Sequence, residues 1–440
     1  MQNLHTFVAV IMAVAAILVA TQVFGRLFTY LKQPKVVGEM VAGVLLGPTC
    51  FGYFFPEISA ELFKKDIMPF LFVLSNIGLS FYMFLVGLEM DFSLFDKKMM
   101  KQSALLSAAT IITPFLLGGL AGTFYYTIMR GESSNFVSFC IFMGTALAIT
   151  AFPMLARILE ERNLIKTRLG TISLLSASIQ DVVSWICLSF VVAAAVTGKY
   201  SGGLRTLGLG IVFILIMFFV LRPLLKRVTF YMNKGKVLST DYLALIILCL
   251  LLSALITDYI GLYSVFGGFI FGLIIPRESF ITAGISAKLR DYTVLILLPL
   301  FFTFSGLNAN MLVLGKIGVF LPCLVIILFS FVGKYFSGLL VMKASGFTWR
   351  ESSAVGGLMN ARGLMELLVA NVGLMYGVIS PTLYSVLILI AIISTSLAMP
   401  IYNWSMPSSH KTIFPPILEE EQDLDNGVLS PPIEEEATFI

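Results

Sequence analysis

Two stretches decide the architecture: Gly38-Glu-Met-Val-Ala-Gly43-Val-Leu-Leu-Gly-Pro48 and Gly267-Gly-Phe-Ile-Phe-Gly272-Leu-Ile-Ile-Pro276. Each reads Gly, a second Gly five residues on, then Pro four or five residues beyond, in apolar surroundings. A second pair follows in the same order, Phe84-Leu-Val-Gly87-Leu88-Glu89 and Phe304-Ser-Gly306-Leu307-Asn308, each Gly-Leu running into polar residues. Apolar segments fall near residues 7–29, 36–50, 68–88, 103–126, 136–156, 169–197, 204–222, 240–258, 260–276, 291–307, 314–342, 354–377 and 381–404, thirteen in all. The matched stretches belong to the second and ninth and to the third and tenth segments. A separation of seven segments reverses orientation, so the pattern predicts two inverted repeats of six helices joined by the seventh as a linker. Inverted repeats with interrupted helices near the midplane are a device of secondary transporters.

Composition supports a chain dissolved in lipid. Of the 440 residues 58% are hydrophobic and 12% charged, against about 25% charged in an average soluble chain. The expected class is therefore an all-α polytopic membrane protein with about thirteen spans, each needing roughly 20 apolar residues. Of the 29 Lys and Arg, 21 fall in loops after odd-numbered segments or in the tail, 6 on the opposite side, and Lys334 and Arg362 inside segments. The positive-inside rule then puts the N-terminus outside and the C-terminus in the cytoplasm. No Lys or Arg precedes residues 7–28, while Arg26, Lys32 and Lys35 follow, so the first segment reads as a retained helix and not a signal peptide.

Other classes find little material. The basic residues are scattered, which disfavours nucleic acid as a partner. Five dispersed cysteines and two histidines suggest no zinc site. No cofactor is implied, and no nucleophile–base pair suggests an enzyme. Residues 405–440 carry Glu419-Glu420-Glu421, Asp423, Asp425 and Glu434-Glu435-Glu436 among prolines, the composition of an acidic, solvated tail following a 1–404 transmembrane domain.

Two segments contain breaks. The fifth has Thr150-Ala-Phe-Pro153, and proline removes a donor that a continuous helix needs. The twelfth has Gly356-Gly357 and Asn360-Ala-Arg362-Gly363. Unwound backbone is acceptable at membrane depth only inside protein or beside a water-filled cavity. The sixth segment holds Ser176, Ser178, Gln180, Asp181 and Ser184, with Asp181 about half a bilayer from either end. A carboxylate there marks an ion or proton site, since desolvation favours the neutral acid and a bound cation the charged form. Glu366 lies four residues after Arg362, within reach of an ion pair. Glu39, near the end of the second segment, reads equally as a gate residue or an interfacial charge.

With these residues assembled, the chain resembles the second family of monovalent cation:proton antiporters, which includes sodium/proton and Kef-type potassium/proton antiporters and plant cation/proton exchangers. The likeness covers about residues 7–404 and is carried by Pro34 to Glu39 and on to Pro48, Phe84 to Glu89, Thr150 to Pro153, Gln180-Asp181, Pro299 to Leu307, Gly333-Lys334 and Asn360 to Gly363. It implies a homodimer, a scaffold of helices 1–3 and 8–10, a transport core of helices 4–6 and 11–13, and crossed discontinuous helices 5 and 12. It implies that Asp181 binds the monovalent cation, with Lys334 and Arg362 as nearby charges. Gln180 stands where electrogenic members have a second aspartate, and Gln-Asp is similar to the Kef type, whose cytoplasmic nucleotide-binding domain has no counterpart here. The expectation is exchange of Na+ or K+ for protons by alternating access in a plasma or inner membrane. Asp181, Gln180, Thr150 and Asn360 would be ion ligands, and Lys334, Arg362 and Glu366 charge-compensating groups. Pro153, Gly356 and Gly357 would interrupt the helices. One carboxylate implies electroneutral exchange. A gated cation channel and a non-transporting sensor on the same scaffold are the rivals.

Overall fold

The computed structural model describes residues 2–89, 97–162, 164–165, 167–197, 201–232, 238–315 and 317–406. The acidic tail beyond residue 406 lies outside them. The described residues are helical, with no strand among them beyond one isolated bridge, Arg130 to Ile379. In chain order the helices are α1 (Gln2–Tyr30), α2 (Lys35–Leu46), α3 (Phe51–Phe54), α4 (Pro56–Leu62), α5 (Met68–Glu89), α6 (Lys97–Met129), α7 (Phe136–Ala148), α8 (Phe152–Glu161), α9 (Arg168–Thr197) and α10 (Ser201–Ile216). They continue as α11 (Arg222–Met232), α12 (Thr240–Ile260), α13 (Ser264–Ile274), α14 (Ser279–Tyr292), α15 (Leu298–Leu307), α16 (Ile317–Ala344), α17 (Trp349–Leu358), α18 (Leu364–Met375) and α19 (Pro381–Ser405).

Among the described residues, nine helical runs are long and apolar enough to cross a membrane, and Phe136–Ala148, Ser264–Ile274 and Met365–Met375 are shorter apolar helices. Phe124, Phe219, Leu255 and Leu321 are each more than half exposed, as side chains facing lipid must be. Helices of this length and apolarity are those of an integral membrane protein. Helix ends are capped in ways the sequence prescribes. Asn135 accepts from the Ser138 N–H (2.8 Å) and Ser239 from that of Tyr242 (3.1 Å). Thr348 and Glu351 form a reciprocal capping box at α17, which satisfies two otherwise orphaned donors.

Some boundaries depart from the apolar pattern. The seventh segment passes through a π-helical turn, Met217–Leu221, and continues beyond residue 222 as α11. The tenth is preceded by α14 and joined to it by a second such turn, Thr293–Leu297. Both extensions are amphipathic, so hydropathy alone stops short of them. The short helices α3 and α4 occupy what reads as a loop.

The glycines matched in sequence make matched contacts. A Cβ on Gly43 would sit 2.7 Å from Thr303 Cα of α15, and one on Gly306 would meet the Gly43–Val44 backbone. Likewise a Cβ on Gly272 would sit 2.8 Å from the Leu88 nitrogen of α5, and one on Gly87 3.2 Å from Gly272 Cα. Gly38 lies against the Phe24 carbonyl of α1, and Gly267 against the Ser253 carbonyl of α12. Helices that touch backbone to backbone need small residues at the contact.

Candidate functional site

The site is built where two helices stop at membrane depth. α7 ends at Ala148 and α8 starts at Phe152, leaving 149–151 outside any helix, with Ile149 extended. Residue 153 lies in the first turn of α8, where proline's missing N–H is no loss. In an unbroken helix that N–H would serve the Ile149 carbonyl. α17 ends at Leu358 and α18 begins at Leu364. Gly356 and Gly357 were expected to make this break, and here the structure corrects the sequence reading: both are inside α17. Their role is close packing, for a Cβ on Gly356 would lie 2.7 Å from the Tyr335 carbonyl and one on Gly357 2.7 Å from Ile401 Cγ2. The break is made instead at Gly363, whose φ of 54° is a conformation that glycine adopts without steric cost.

The two breaks face each other. The Ala151 N–H donates to the Ala361 carbonyl (3.0 Å), and the Thr150 hydroxyl donates to the Met359 carbonyl (2.8 Å). Each break thus satisfies part of the other's freed backbone, which the membrane interior requires.

Charged side chains complete the neutralisation. Arg362 is fully buried and donates to the Ala146 (3.1 Å), Leu147 (2.7 Å) and Ser330 (3.1 Å) carbonyls. Ala146 and Leu147 lie in the last turn of α7, so the guanidinium stands where the helix dipole is negative. Its own N–H donates to the Thr395 hydroxyl (3.2 Å), and it pairs with Glu366 at 3.5 Å. Glu366 is in turn in the first turn of α18, the positive end of that dipole. Lys334 on α16, fully buried, donates to the Thr150 hydroxyl and to Gln180 Oε1, the latter at 3.1 Å. Gln180 Nε2 points at Met359 Sδ, 3.7 Å away.

Asp181 on α9 is 1% exposed. The Phe152 backbone N–H, at the start of α8, and the Lys334 ammonium are positive groups that act on its carboxylate. Neither carboxylate oxygen has a hydrogen bond of normal geometry among the described residues. Asn360 donates to the Gly356 carbonyl (3.0 Å), and its Oδ1 has no donor among them. The structure therefore gathers Thr150, Gln180, Asp181, Lys334, Asn360, Arg362 and Glu366 around the two breaks. Sequence reasoning missed Thr395 and Met359; the run Ser394-Thr395-Ser396 in an otherwise apolar helix was the available signal for Thr395. Glu39 is 1% exposed and joins α2 to α8 through Arg157 (3.4 and 3.5 Å), with Lys35 at 3.9 Å.

Paired broken helices with buried oxygens and charges at their interruptions are the architecture of secondary transporters. The chain belongs to the family described as sodium/hydrogen exchanger, transmembrane, whose model matches residues 12–403. It is similar to the Na(+)/H(+) antiporter NhaS4 of Synechocystis sp., 36% identical over 398 residues that cover 90% of this chain and 97% of the relative. It is 32% identical to the K(+)/H(+) antiporter 1 of Saccharomyces cerevisiae, with 87% of this chain and 45% of the relative covered. The Cation/H(+) antiporter 17 of Arabidopsis thaliana is 33% identical, with 90% and 48% covered. The chain thus spans nearly all of the cyanobacterial relative and about half of the yeast and plant ones. In fold it matches the sodium proton antiporter MjNhaP1 from Methanocaldococcus jannaschii with a TM-score of 0.65 at 18% identity, covering 91% of this chain and 97% of the other.

Proposed function

We propose that this protein exchanges Na+ or K+ for protons across the membrane by alternating access, with Asp181 carrying either ion in turn. The observation that carries the reading is a buried carboxylate whose two oxygens have no hydrogen-bond partner of normal geometry among the described residues and which feels both a half-helix N-terminus and an ammonium. In the present arrangement Lys334 holds Thr150 and Gln180, two of the neutral oxygens an alkali cation would use. Withdrawal of that ammonium frees them to join Asp181 and Asn360 Oδ1 as a set of oxygen donors suited to a hard cation. Arg362 and Glu366 stay bound to the helix ends and keep the breaks in place. A single carboxylate that carries one cation one way and one proton the other moves equal charge, so exchange is electroneutral.

The remaining architecture follows the same reading. The matched glycine contacts support an inverted duplication. α1, α2, α5 and α12 to α15 form the scaffold, α6 to α9 and α16 to α19 the moving core, and α10 and α11 the linker. The loop charges support an outer N-terminus and a cytoplasmic C-terminus, and the family resemblance supports a homodimer.

The test is reconstitution in vesicles holding an internal pH dye, with Na+ or K+ added against an imposed pH gradient. Dequenching by one ion in the wild type, absent in Asp181→Asn, is the expected result and names the ion. A folded wild type that responds to neither ion overturns the reading.

A further inference from the structure

An aromatic cluster stands one helical turn from Asp181 along α9. On the face where α2 and α18 end, a cavity of about 880 Å³ opens between the two halves, lined by Pro48, Phe304 and Asn371 among others. Beside it is a chamber of about 60 Å³ whose wall includes Trp185, Asp258 and Tyr376. Tyr263 and Val372 line both spaces. The chamber has room for water molecules, each needing about 10–15 Å³ of such volume, or for a partly hydrated alkali cation. Its exposed carboxylate, Asp258, and its aromatic faces attract cations.

Trp185 lies four residues after Asp181 on α9, one turn toward the outer side and on the same helix face. Its side chain is buried, 2% exposed. The indole stacks on Tyr263 with centroids 6.4 Å apart and planes 22° from parallel, and packs on Phe266 at 6.3 Å. Tyr263 is the N-cap of α13 and Phe266 lies within that helix, so the contact crosses from core to scaffold. The scaffold side is pinned: the Tyr263 hydroxyl donates to Asn76 Oδ1 at 2.7 Å, and its backbone holds a positive φ of 67°. The indole side is not pinned. Its Nε1 is buried and has no hydrogen bond among the described residues, although buried tryptophans normally find a partner for that donor. Any displacement that brings the N–H to water recovers the missing bond, so the closed packing is easily left.

We propose that Trp185 is the outer plug of the exchange pathway. It separates the Asp258 chamber from Asp181, and it leaves the Tyr263–Phe266 face before a cation from that side reaches the carboxylate. This rests on the reading of Asp181 as the exchanging group.

The test uses the full chain in vesicles with an internal pH dye, no Na+ or K+ present, and an imposed pH gradient. The rate of gradient loss reports proton leak. Trp185→Ala is expected to leak about tenfold faster than wild type, because both aromatic contacts that close the barrier are removed. Trp185→Leu should be intermediate and Trp185→Phe close to wild type. Adding Asp181→Asn to Trp185→Ala should return the leak to baseline, which a generally loosened helix bundle would not do. Wild-type leak in both the Ala and Leu variants overturns the proposal, as does a leak that survives Asp181→Asn. Should the Ala variant fail to fold, the Leu and Phe variants decide by the same order. Absence of cation-driven exchange in the wild type would instead sink the antiporter reading, so the two failures are distinguishable.

Discussion

The α2–α15 and α5–α13 contacts and the α7–α8/α17–α18 breaks lie in one bundle and are held by opposite means. In the first, glycines let backbones touch, and apolar residues such as Phe84 and Phe271, stacked at 5.6 Å, fill the rest. In the second, the backbone is opened, and Arg362, Glu366, Lys334 and Asp181, none more than 1% exposed, meet its freed groups. Close packing without charge has a single well-defined arrangement and suits a part that stays still. Buried charges balanced against helix ends have alternatives, because a proton or a cation can replace an ammonium. On the proposed reading, the difference assigns rigidity to one region and exchange to the other.

The comparison breaks most sharply at Asp181. Asp181→Asn should abolish cation-driven dequenching while leaving a monodisperse protein; residual coupled exchange would mean that another group carries the ions. Arg362→Gln comes next. It leaves Glu366 buried without its partner and the α7 carbonyls without their donor, a loss of about 3–5 kcal/mol, read as a lowered Tm in detergent. Replacing both Arg362 and Glu366 with Met should recover much of that stability without restoring exchange.

Gly272→Val probes the other region. Its side chain would press on the Leu88 nitrogen and the Gly87 backbone, an overpacking of roughly 1–3 kcal/mol. Exchange per folded molecule should survive. A wild-type Tm here would show that backbone contact is not what holds the scaffold. Glu39→Gln should do least. Glu39 is 1% exposed and its partners Arg157 and Lys35 only 14% and 27%, but the amide keeps an acceptor for Arg157, so the loss should be about 1 kcal/mol. A double-mutant cycle with Arg157→Gln measures it.

Much of the site was legible before the fold. Asp181 stands out because ionised groups are rare at membrane depth, and the fifth segment's break because Pro153 cannot continue a helix. The second break was misplaced by a few residues. Gly356 and Gly357 look like helix breakers, yet a glycine signals either a break or a close approach, and the neighbour at Tyr335 decides which. That Lys334 reaches Thr150 and Gln180, 184 and 154 positions away, has no local trace at all.

The sequence by itself determined that this chain lives in a bilayer, that one glycine spacing recurs in two distant stretches, and that a carboxylate falls within an apolar segment. These follow from hydropathy, glycine spacing and the cost of burying charge, all properties of short stretches. Only the tertiary structure decided that the two breaks satisfy each other, that Arg362 caps α7, and that Trp185 packs against Tyr263 and Phe266. Those are contacts between residues far apart in the chain, and their energies exist only once helices from both halves are packed together.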